Sequence, residues 1–279
     1  MKRVGILYHP MKEDAYALTG KVEEFLKSEG LSVWSCSAWE TEAAREQVEG
    51  SDLLLSIGGD GTILRAAQVA VYGPTPVTGV NVGKLGFMTE LTVDEVIEKL
   101  PALLAGKGWI DERSLLEAEL SPADAGSRRL DTSYALNDVV VTRSTVARVV
   151  YVTASIDGEP LTTYKGDGVI IATATGSTGY SLAAGGPILH PQARELMLVP
   201  ILPHISADYT LVLPSTATIS LSVSTTQPAM LSIDGHLNWQ LSSGDAVTVK
   251  RSSRTVQFLR IHSGRSFYGS LDEKLKGKN

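Results

Sequence analysis

Short apolar runs alternate with segments of helical period over the first hundred residues of the chain. Residues 4–8, 31–35 and 53–57 are apolar runs of strand length. Between the first two runs, apolar side chains recur at helical spacing over 15–26 and stop at Gly30, where the glycine that follows a helix is expected. This alternation is typical of βαβ units, so the sequence predicts an α/β domain with a parallel, Rossmann-like sheet.

The alternating pattern ends near residue 105. Before it ends, Thr92-Val93-Asp94-Glu95 has the form of a capping box and predicts a helix that runs through Leu100. β-Branched runs then follow at 139–141, 149–154, 169–173, 218–224 and 246–250, with Asp-Gly turns at 157–158 and 234–235. We therefore expect a first domain over 1–105 and a β-rich, sandwich-like domain over 106–254.

The composition is that of a globular protein with an acidic balance. A chain of 279 residues with 43% hydrophobic content can bury a substantial core, and its length suggests two domains. The net charge of −6 argues against nucleic acid or an anionic membrane as the main partner. Cys36 is the only cysteine, which excludes an intrachain disulfide and favours a reducing cytoplasm. We expect no membrane segment, because Pro200 and Pro203 interrupt the apolar candidate at 196–205.

A glycine-dense turn that carries one acid, Ser56-Ile57-Gly58-Gly59-Asp60-Gly61-Thr62, follows the apolar run 53–55. Glycines permit positive φ and close approach to a ligand, and the helix expected from Thr62 onward presents free N–H groups, which predicts a phosphate cradle. A carboxylate repels phosphate unless a cation lies between them or the acid takes part in the chemistry. Asp60 is therefore a candidate for removing a proton from an attacking hydroxyl. A simple tight turn is the alternative interpretation.

A second segment rich in glycine and hydroxyl side chains flanks the apolar run 169–172. Gly166-Asp167-Gly168 precedes this run, and Thr173-Ala174-Thr175-Gly176-Ser177-Thr178-Gly179-Tyr180 follows it. Such residues after a strand offer many short donors to a polar ligand without adding bulk. An ordinary loop is the alternative, but a second Gly-Asp-Gly beside this segment favours a binding site.

Further motifs accompany these two segments in a fixed order. The full set is Gly58-Gly59-Asp60-Gly61-Thr62, Asn81-x-Gly83-x-Leu85-Gly86-Phe87, Leu136-Asn137-Asp138, Gly166-Asp167-Gly168, Thr173-x-Thr175-Gly176-Ser177-Thr178-x-Tyr180, Gly185-Gly186-Pro187-Ile188 and Pro200-Ile201-x-Pro203-His204. In this order and spacing, the chain resembles the NAD kinases from the first strand to the C-terminal region. Phosphofructokinases and lipid kinases are similar only in the first of these motifs.

The resemblance implies both a reaction and its base. In the NAD kinases the acid of the first motif, here Asp60, takes the proton from the adenosine-ribose 2′-hydroxyl of NAD as that oxygen attacks the γ-phosphate of ATP, which gives NADP. Gly61 and Arg65 would contact NAD, with Arg65 meeting a phosphate charge. The phosphate loop would consist of Gly58, Gly59, Gly61 and Thr62.

The resemblance also implies which residues hold NAD. Asn137 and Asp138 match the family's Asn-Glu pair, although Asp138 is shorter than Glu by one methylene. Lys165 and Asp167 match a polar pair near the nicotinamide end or the partner subunit. The loop beside the adenine and ribose would consist of Thr178, Gly179, Tyr180, Ser181, Leu182 and Ala183. Two further contacts are implied, His236 in the late Asp-Gly turn and Arg148, for which a half-buried strand residue is the alternative.

The remaining implications concern assembly, cofactor and rival functions. The segment from about 255 to 279 is expected to return to the first domain, and the family implies a homodimer or homotetramer. No Cys/His spacing suits a metal site, so a divalent cation, with Mg²⁺ the expected one, should arrive with ATP. Polyphosphate as an alternative donor is left open. The rivals are a phosphofructokinase-like or lipid kinase, which the motifs at 137–138 and 175–178 disfavour, and a non-catalytic NAD(P) sensor, which would need no base.

Overall fold

The computed structural model describes residues 1–84, 86–124, 130–145, 149–204, 209–262 and 267–276. The chain forms two compact units, one of Met1–Glu112 with Val256–Asn279 and the other of Arg113–Thr255. The sequence had suggested a first boundary after residue 105. The chain instead passes to the second unit inside a continuous strand, Trp109–Ser121, which no break in the sequence pattern marks.

The first unit is built on a parallel sheet. Its elements are β1 (Arg3–Tyr8), α1 (Glu13–Ser28), β2 (Ser32–Ser37), α2 (Thr41–Val48), β3 (Leu53–Gly58), α3 (Asp60–Ala70), β4 (Val77–Asn81), β5 (Leu91–Thr92) and α4 (Val96–Leu104). The strands follow the order β4-β3-β1-β2, with β5 beside β4, and each neighbouring pair is parallel. The carboxyl ends of these strands therefore share one edge, where open α/β sheets bind ligands.

Burial explains why these segments form. Every residue of β3 is buried, as expected for a central strand covered on both faces. Helix α1 buries Ala15, Leu18, Val22 and Leu26, whose spacing is that of one helical face. Gly30 then ends the helix region with a φ of +79°, a conformation that glycine adopts without a steric cost.

The second unit consists almost entirely of antiparallel strands. They are β6 (Trp109–Ser121), β7 (Leu130–Ala135), β8 (Asp138–Arg143), β9 (Val150–Ile156), β10 (Glu159–Gly166), β11 (Gly168–Ala172), β12 (Leu196–Ile201), β13 (Leu211–Leu213), β14 (Thr218–Ser224), β15 (Ala229–Ile233), β16 (Leu237–Leu241) and β17 (Ala246–Arg260). A short 3₁₀ helix (Thr175–Thr178) and α5 (Tyr180–Ala183) follow β11, and α6 (Phe267–Lys276) belongs to the first unit.

Two sheets enclose the core of the second unit. Neighbouring strands in one sheet are β10-β9-β14-β17, and those in the other are β13-β12-β11-β8-β15-β16. Alternate residues of β8, such as Val139 and Val141, lie in the shared core, together with Ile219 and Leu221 of β14. Val140 lies on the opposite face of its sheet, where it joins a second, smaller apolar cluster. The predicted fold class, an α/β domain followed by a β-sandwich-like domain, is confirmed.

The two turns predicted from Asp-Gly pairs are present in the structure. Asp157, Gly158, Asp234 and Gly235 all have positive φ, as the two predicted Asp-Gly hairpin turns require. The prediction that the helix after the glycine-dense turn begins at Thr62 was wrong, because α3 begins at Asp60. Among the helices that the structure describes, none combines the length and apolar character needed to cross a membrane.

Candidate active site

Asp60 stands at the carboxyl edge of the parallel sheet, in the first turn of α3 and directly after β3. The glycines before and after it act differently from the sequence expectation, since Gly58, Gly59 and Gly61 are not among the residues with positive φ. A side chain at Gly58 would clash with the Thr62 hydroxyl, whereas Gly59 and Gly61 face open space. The turn therefore needs glycine for close packing at position 58 and leaves room for a ligand at positions 59 and 61.

The Asp60 carboxylate is held by the backbone of a neighbouring loop. Its Oδ2 accepts the N–H of Phe87 at 2.8 Å, and its Oδ1 accepts the N–H of Met88 at 3.0 Å. A Cβ atom at Gly86 would clash with the same carboxylate. The N–H groups of Phe87 and Met88 thus orient the predicted base, and Gly86 leaves room for its carboxylate. Gly86 and Phe87 were known from the sequence only as motif residues.

Arg65 lies in the second turn of α3 and packs on an aromatic side chain. Its guanidinium carbon is 4.3 Å from the centroid of the Trp39 ring, and burial lowers the pKa of Arg65 from its usual value. The His9 ring packs edge-on against the Trp39 ring, with 4.7 Å between the two ring centroids. Burial, followed by the charge of Lys12, lowers the pKa of His9. Arg65 is therefore held in place by stacking near the end of β1 and β2.

The second unit contains a cavity of about 440 Å³ on the outer face of its six-stranded sheet. Its floor comes from two paired strands, since Val140 of β8 is opposite Ser232 of β15, and Thr142 is opposite Met230. The complete lining is Asn137, Asp138, Val140, Thr142, Tyr180, Met230, Ser232, Asp234, Gly235 and Asn238. A volume of this order accommodates part of a dinucleotide, and the lining combines the apolar side chains of Val140 and Met230 with polar ones, as ligand pockets do.

Two carboxyl groups, those of Asp138 and Asp234, face this cavity. Asp234 is buried and accepts the backbone N–H groups of Leu136 at 2.9 Å, Asn137 at 2.7 Å and Asp138 at 3.2 Å. Burial and, secondly, the nearby Asp234 raise the pKa of Asp138 to about 7. Burial also raises the pKa of Asp234, against the effect of its three N–H donors. The negative charge is best placed on Asp234, which has the donors, so Asp138 retains its proton until near neutral pH.

Asn137 contacts the glycine- and hydroxyl-rich loop that follows β11. Its carbonyl oxygen accepts the N–H of Thr173 at 2.9 Å, and a Cβ atom at Gly176 would clash with that same oxygen. Its side-chain oxygen is buried without a hydrogen-bond partner in the structure. A buried amide oxygen of this kind is a place where a ligand N–H or O–H can bind.

Several hydroxyl groups of the loop that follows β11 form hydrogen bonds within the second unit. The Thr173 hydroxyl donates to the Leu136 carbonyl at 2.6 Å and accepts the N–H of Gly176 at 3.0 Å, and the Ser177 hydroxyl donates to the Ala174 carbonyl at 2.7 Å. The interpretation of these hydroxyls as a row of ligand donors is therefore replaced, at Thr173 and Ser177, by a role in shaping the loop. Ser181 is different, because its buried hydroxyl has no hydrogen-bond partner in the structure.

The structure brings together some of the predicted binding residues. Asn137, Asp138 and Tyr180 line the cavity, and His236 adjoins it with Nδ1 3.0 Å from the carbonyl oxygen of Asp234. The other residues of the predicted loop lie on the segment that carries Tyr180, namely Thr178, Gly179, Ser181, Leu182 and Ala183. Arg148 lies outside the described residues.

Asp167 is engaged by a residue that the sequence analysis did not single out. Arg143 holds both carboxylate oxygens, with Nε 2.6 Å from Oδ1 and Nη2 2.9 Å from Oδ2. These hydrogen bonds lower the pKa of Asp167. The Asp167 carbonyl also accepts the hydroxyl of the cavity residue Thr142 at 2.8 Å. Lys165 points elsewhere, with its ammonium 5.8 Å from the centroid of the Tyr151 ring.

Sequence reasoning did not assign seven residues of the cavity lining to a site: Val140, Thr142, Met230, Ser232, Asp234, Gly235 and Asn238. Asp234 had been noted only as part of a turn. Successive side chains of a strand point to opposite faces, which places residues 138, 140 and 142 of β8, and 230 and 232 of β15, on the same face of the sheet. In β8 three consecutive valines hide this alternation from a reading of the sequence. Within the described residues, no group of three His, Cys, Asp or Glu side chains is placed to hold a metal ion.

A glycine turn with an oriented acid at the carboxyl edge of a parallel sheet, together with a cavity of nucleotide size, is typical of a nucleotide-dependent phosphotransferase. Residues 28–108 match the family model of the ATP-NAD kinase N-terminal domain, and residues 136–261 match that of the ATP-NAD kinase C-terminal domain. The chain belongs to the ATP-NAD kinase family.

Proteins named NAD kinase are similar to this chain over its whole length. The NAD kinase of Dehalococcoides mccartyi is 49% identical over 278 residues, which cover 100% of this chain and 97% of that protein. The NAD kinase of Chloroflexus aurantiacus is 39% identical over 276 residues, which cover 99% of each. The family and the ATP-dependent phosphotransferase activity indicated by the sequence motifs are thereby confirmed.

Two solved structures share the fold. A yeast NADH kinase, solved in complex with NADH, has a TM-score of 0.82 at 24% identity and covers 100% of this chain and 88% of its own. An NAD kinase from Archaeoglobus fulgidus, solved in complex with ATP, has a TM-score of 0.79 at 24% identity, with 99% of each chain covered. At this level of identity the likeness concerns the fold.

Proposed function

We propose that Asp60 is the general base of this NAD kinase. The observation that supports the proposal is its position: an acid at the carboxyl edge of the parallel sheet, oriented by the Phe87 and Met88 N–H groups. An ionised carboxylate offers about four lone-pair sites, so two remain for a substrate hydroxyl. Gly59 and Gly61, which face open space, leave room for that substrate beside the carboxylate.

The reaction exchanges one P–O bond for another. The adenosine-ribose 2′-oxygen of NAD attacks the γ-phosphorus of ATP, the bond to the ADP oxygen breaks, and the hydroxyl proton passes to Asp60. Phosphoryl transfer depends mainly on positioning and charge neutralisation, and the base acts late, as the bond to phosphorus develops. The phosphate loop would be formed by Gly58, Gly59, Gly61 and Thr62, and Arg65 would meet a phosphate charge.

We assign NAD binding to the cavity of the second unit and the adjoining loop. The Asn137 side chain and the Asp138 carboxyl are suited to ribose hydroxyls or a base amide, because both can accept hydrogen bonds and each faces the cavity. Tyr180, nearly half exposed, offers a flat surface on which a base can stack. Thr178, Gly179, Ser181, Leu182, Ala183 and His236 would complete the contacts from the adjoining segments.

Replacement of the proposed base tests this function. Asp60→Asn keeps the shape and removes the proton acceptor, so kcat should fall by roughly 10²- to 10⁴-fold, the usual contribution of a positioned base. NADP formation is measured with a coupled NADP-specific dehydrogenase, and NAD binding by calorimetry. Binding should be retained. An Asn variant that turns over at the wild-type rate would reduce Asp60 to a turn residue.

The proposal also covers the divalent cation, the phosphoryl donor and the oligomeric state. Mg²⁺ would enter as the ATP complex, because the described residues offer no cluster of three metal-ligating side chains and ATP oxygens supply ligands themselves. ATP is the proposed donor, and polyphosphate is tested by substituting it in the same assay. We also propose a cytoplasmic homodimer or homotetramer. Light scattering that reports a fully active monomer at micromolar concentration would contradict that assembly.

A further inference from the structure

The loop that orients Asp60 is itself held by the C-terminal part of the chain. Lys274, in α6, donates from Nζ to the carbonyl oxygen of Phe87 at 3.3 Å. The same ammonium lies 5.8 Å from the centroid of the Phe87 ring, within the range of a cation–π contact. The next carbonyl, that of Met88, accepts Nη1 of Arg260 at 2.8 Å. Two cations from the chain end therefore hold the two residues whose N–H groups bind Asp60.

Lys274 reaches Asp60 through a single peptide group. The carbonyl of Phe87 and the N–H of Met88 belong to the same planar amide. The ammonium binds the oxygen of this amide, and the N–H at its other end donates to Asp60 Oδ1 at 3.0 Å. A cation on the carbonyl polarises the amide and strengthens the hydrogen bond that its N–H donates. The contact also fixes the peptide plane, and with it the direction of the Asp60 carboxylate.

We propose that Lys274 is a positioning residue for the phosphoryl transfer, which acts through the Phe87–Met88 peptide to hold Asp60 in the orientation that accepts the substrate proton. This inference rests on the proposed role of Asp60 as the base. Under this proposal, helix α6 contributes to turnover as well as to the structure of the first unit. Lys274 does not touch the substrates in this account, so its loss should slow turnover and leave the affinity for NAD unchanged.

The test compares Lys274→Met with two matched variants in the full chain. Methionine keeps length and helix propensity and removes the charge and the donor. We expect kcat to fall by about five- to tenfold, the worth of one oriented hydrogen bond, with the KM for NAD within about twofold of wild type. Lys274→Arg should restore most of kcat, because arginine again supplies a cationic donor. Lys276→Met, the same change at an exposed position of α6, should behave as wild type.

A double-mutant cycle then asks whether Lys274 acts through Asp60. In an Asp60→Asn background the effect of Lys274→Met on kcat should disappear, because the carboxylate that Lys274 orients is gone. An equal loss in both backgrounds, an unchanged kcat for Lys274→Met, a raised KM with unchanged kcat, or no recovery with arginine would each overturn the inference. Should Lys274→Met fail to unfold cooperatively in a thermal scan, Lys274→Gln takes its place in the same comparison.

The two proposals fail in distinguishable ways. If Asp60→Asn alone keeps the wild-type kcat, the assignment of the base is wrong and the inference about Lys274 falls with it. If Asp60→Asn loses activity as expected while Lys274→Met has the same effect with and without the carboxylate, only the inference about Lys274 is overturned.

Discussion

At the scale of single residues, the pair Asp138 and Asp234 shows how one sheet face can carry two carboxyl groups. Asp234 has three backbone donors, whereas Asp138 is largely buried and faces the charge of its neighbour. Like charges at close range disfavour double ionisation, so one group retains its proton to a higher pH than a free aspartate would. The site therefore contains a carboxyl that can donate as well as accept a hydrogen bond below about pH 7.

The raised pKa of Asp138 predicts a pH dependence of stability. In the unfolded chain the group releases its proton near 3.8, but in the folded protein only near 7, so the folded state binds the extra proton between these values. The free energy of unfolding should therefore decrease as the pH rises from about 4 to about 7, by at most about 4 kcal/mol from this group. Asp138→Asn removes this effect. The difference in the free energy of unfolding, variant minus wild type, should therefore be larger at pH 8 than at pH 4.

Urea denaturation at the two pH values measures this difference. Asp272→Asn, the same change at an exposed position of α6, serves as the control for the substitution itself. A stability difference between Asp138→Asn and wild type that is the same at pH 4 and pH 8 would mean that Asp138 ionises normally in the folded protein.

At the scale of elements, the end of β17 is tied to the loop before β5 by buried charges. Arg260 lies between two acids, with Nη1 3.3 Å from Glu90 Oε2 and Nε 3.3 Å from Asp111 Oδ2. Glu90 Oε1 in turn accepts the backbone N–H groups of Ile261 and His262, each at 2.8 Å. Buried charges of this kind stabilise a fold only while they remain matched, because each one is costly to bury alone.

Removal of Arg260 should therefore be strongly destabilising. Arg260→Met removes the buried cation that lies between Glu90 and Asp111, and we expect a loss of about 3–5 kcal/mol in the free energy of unfolding. Urea unfolding provides the measurement, and Arg254→Met, at an exposed position of the same strand, is the matched control. A loss for Arg260→Met no larger than that of the control would show that the network contributes little.

At the scale of the whole molecule, the sequence predicted the segments with strong periodicity and the turns with specific chemistry. It did not predict α2, which buries only Ala44 and Val48, or β4, a five-residue strand with a glycine at its centre. In both segments the local pattern is weak, and packing decides the conformation. The predicted capping box is also modified, since the Thr92 hydroxyl binds the Glu95 side chain at 2.9 Å and α4 begins only at Val96.

The candidate site residues were likewise predictable from the sequence only in part. Asp60, Asn137 and Asp138 could be singled out as candidates from the sequence because each belongs to a local motif. The groups that orient or accompany them are distant in sequence: Met88 beside Asp60, Asp234 beside Asp138, and Arg143 on Asp167. Such pairs are created by strand order and register, which a single sequence does not reveal.

The most direct test of the central claim is a crystal structure of the Asp60→Asn variant with NAD and Mg²⁺-ATP. The account predicts that the side chain at position 60 lies within roughly 2.6–3.2 Å of the adenosine-ribose 2′-oxygen, the distance that proton transfer requires. That oxygen should also face the γ-phosphorus of ATP. A ribose bound elsewhere, or a side chain at position 60 directed away from it, would contradict the assignment of Asp60 as the base.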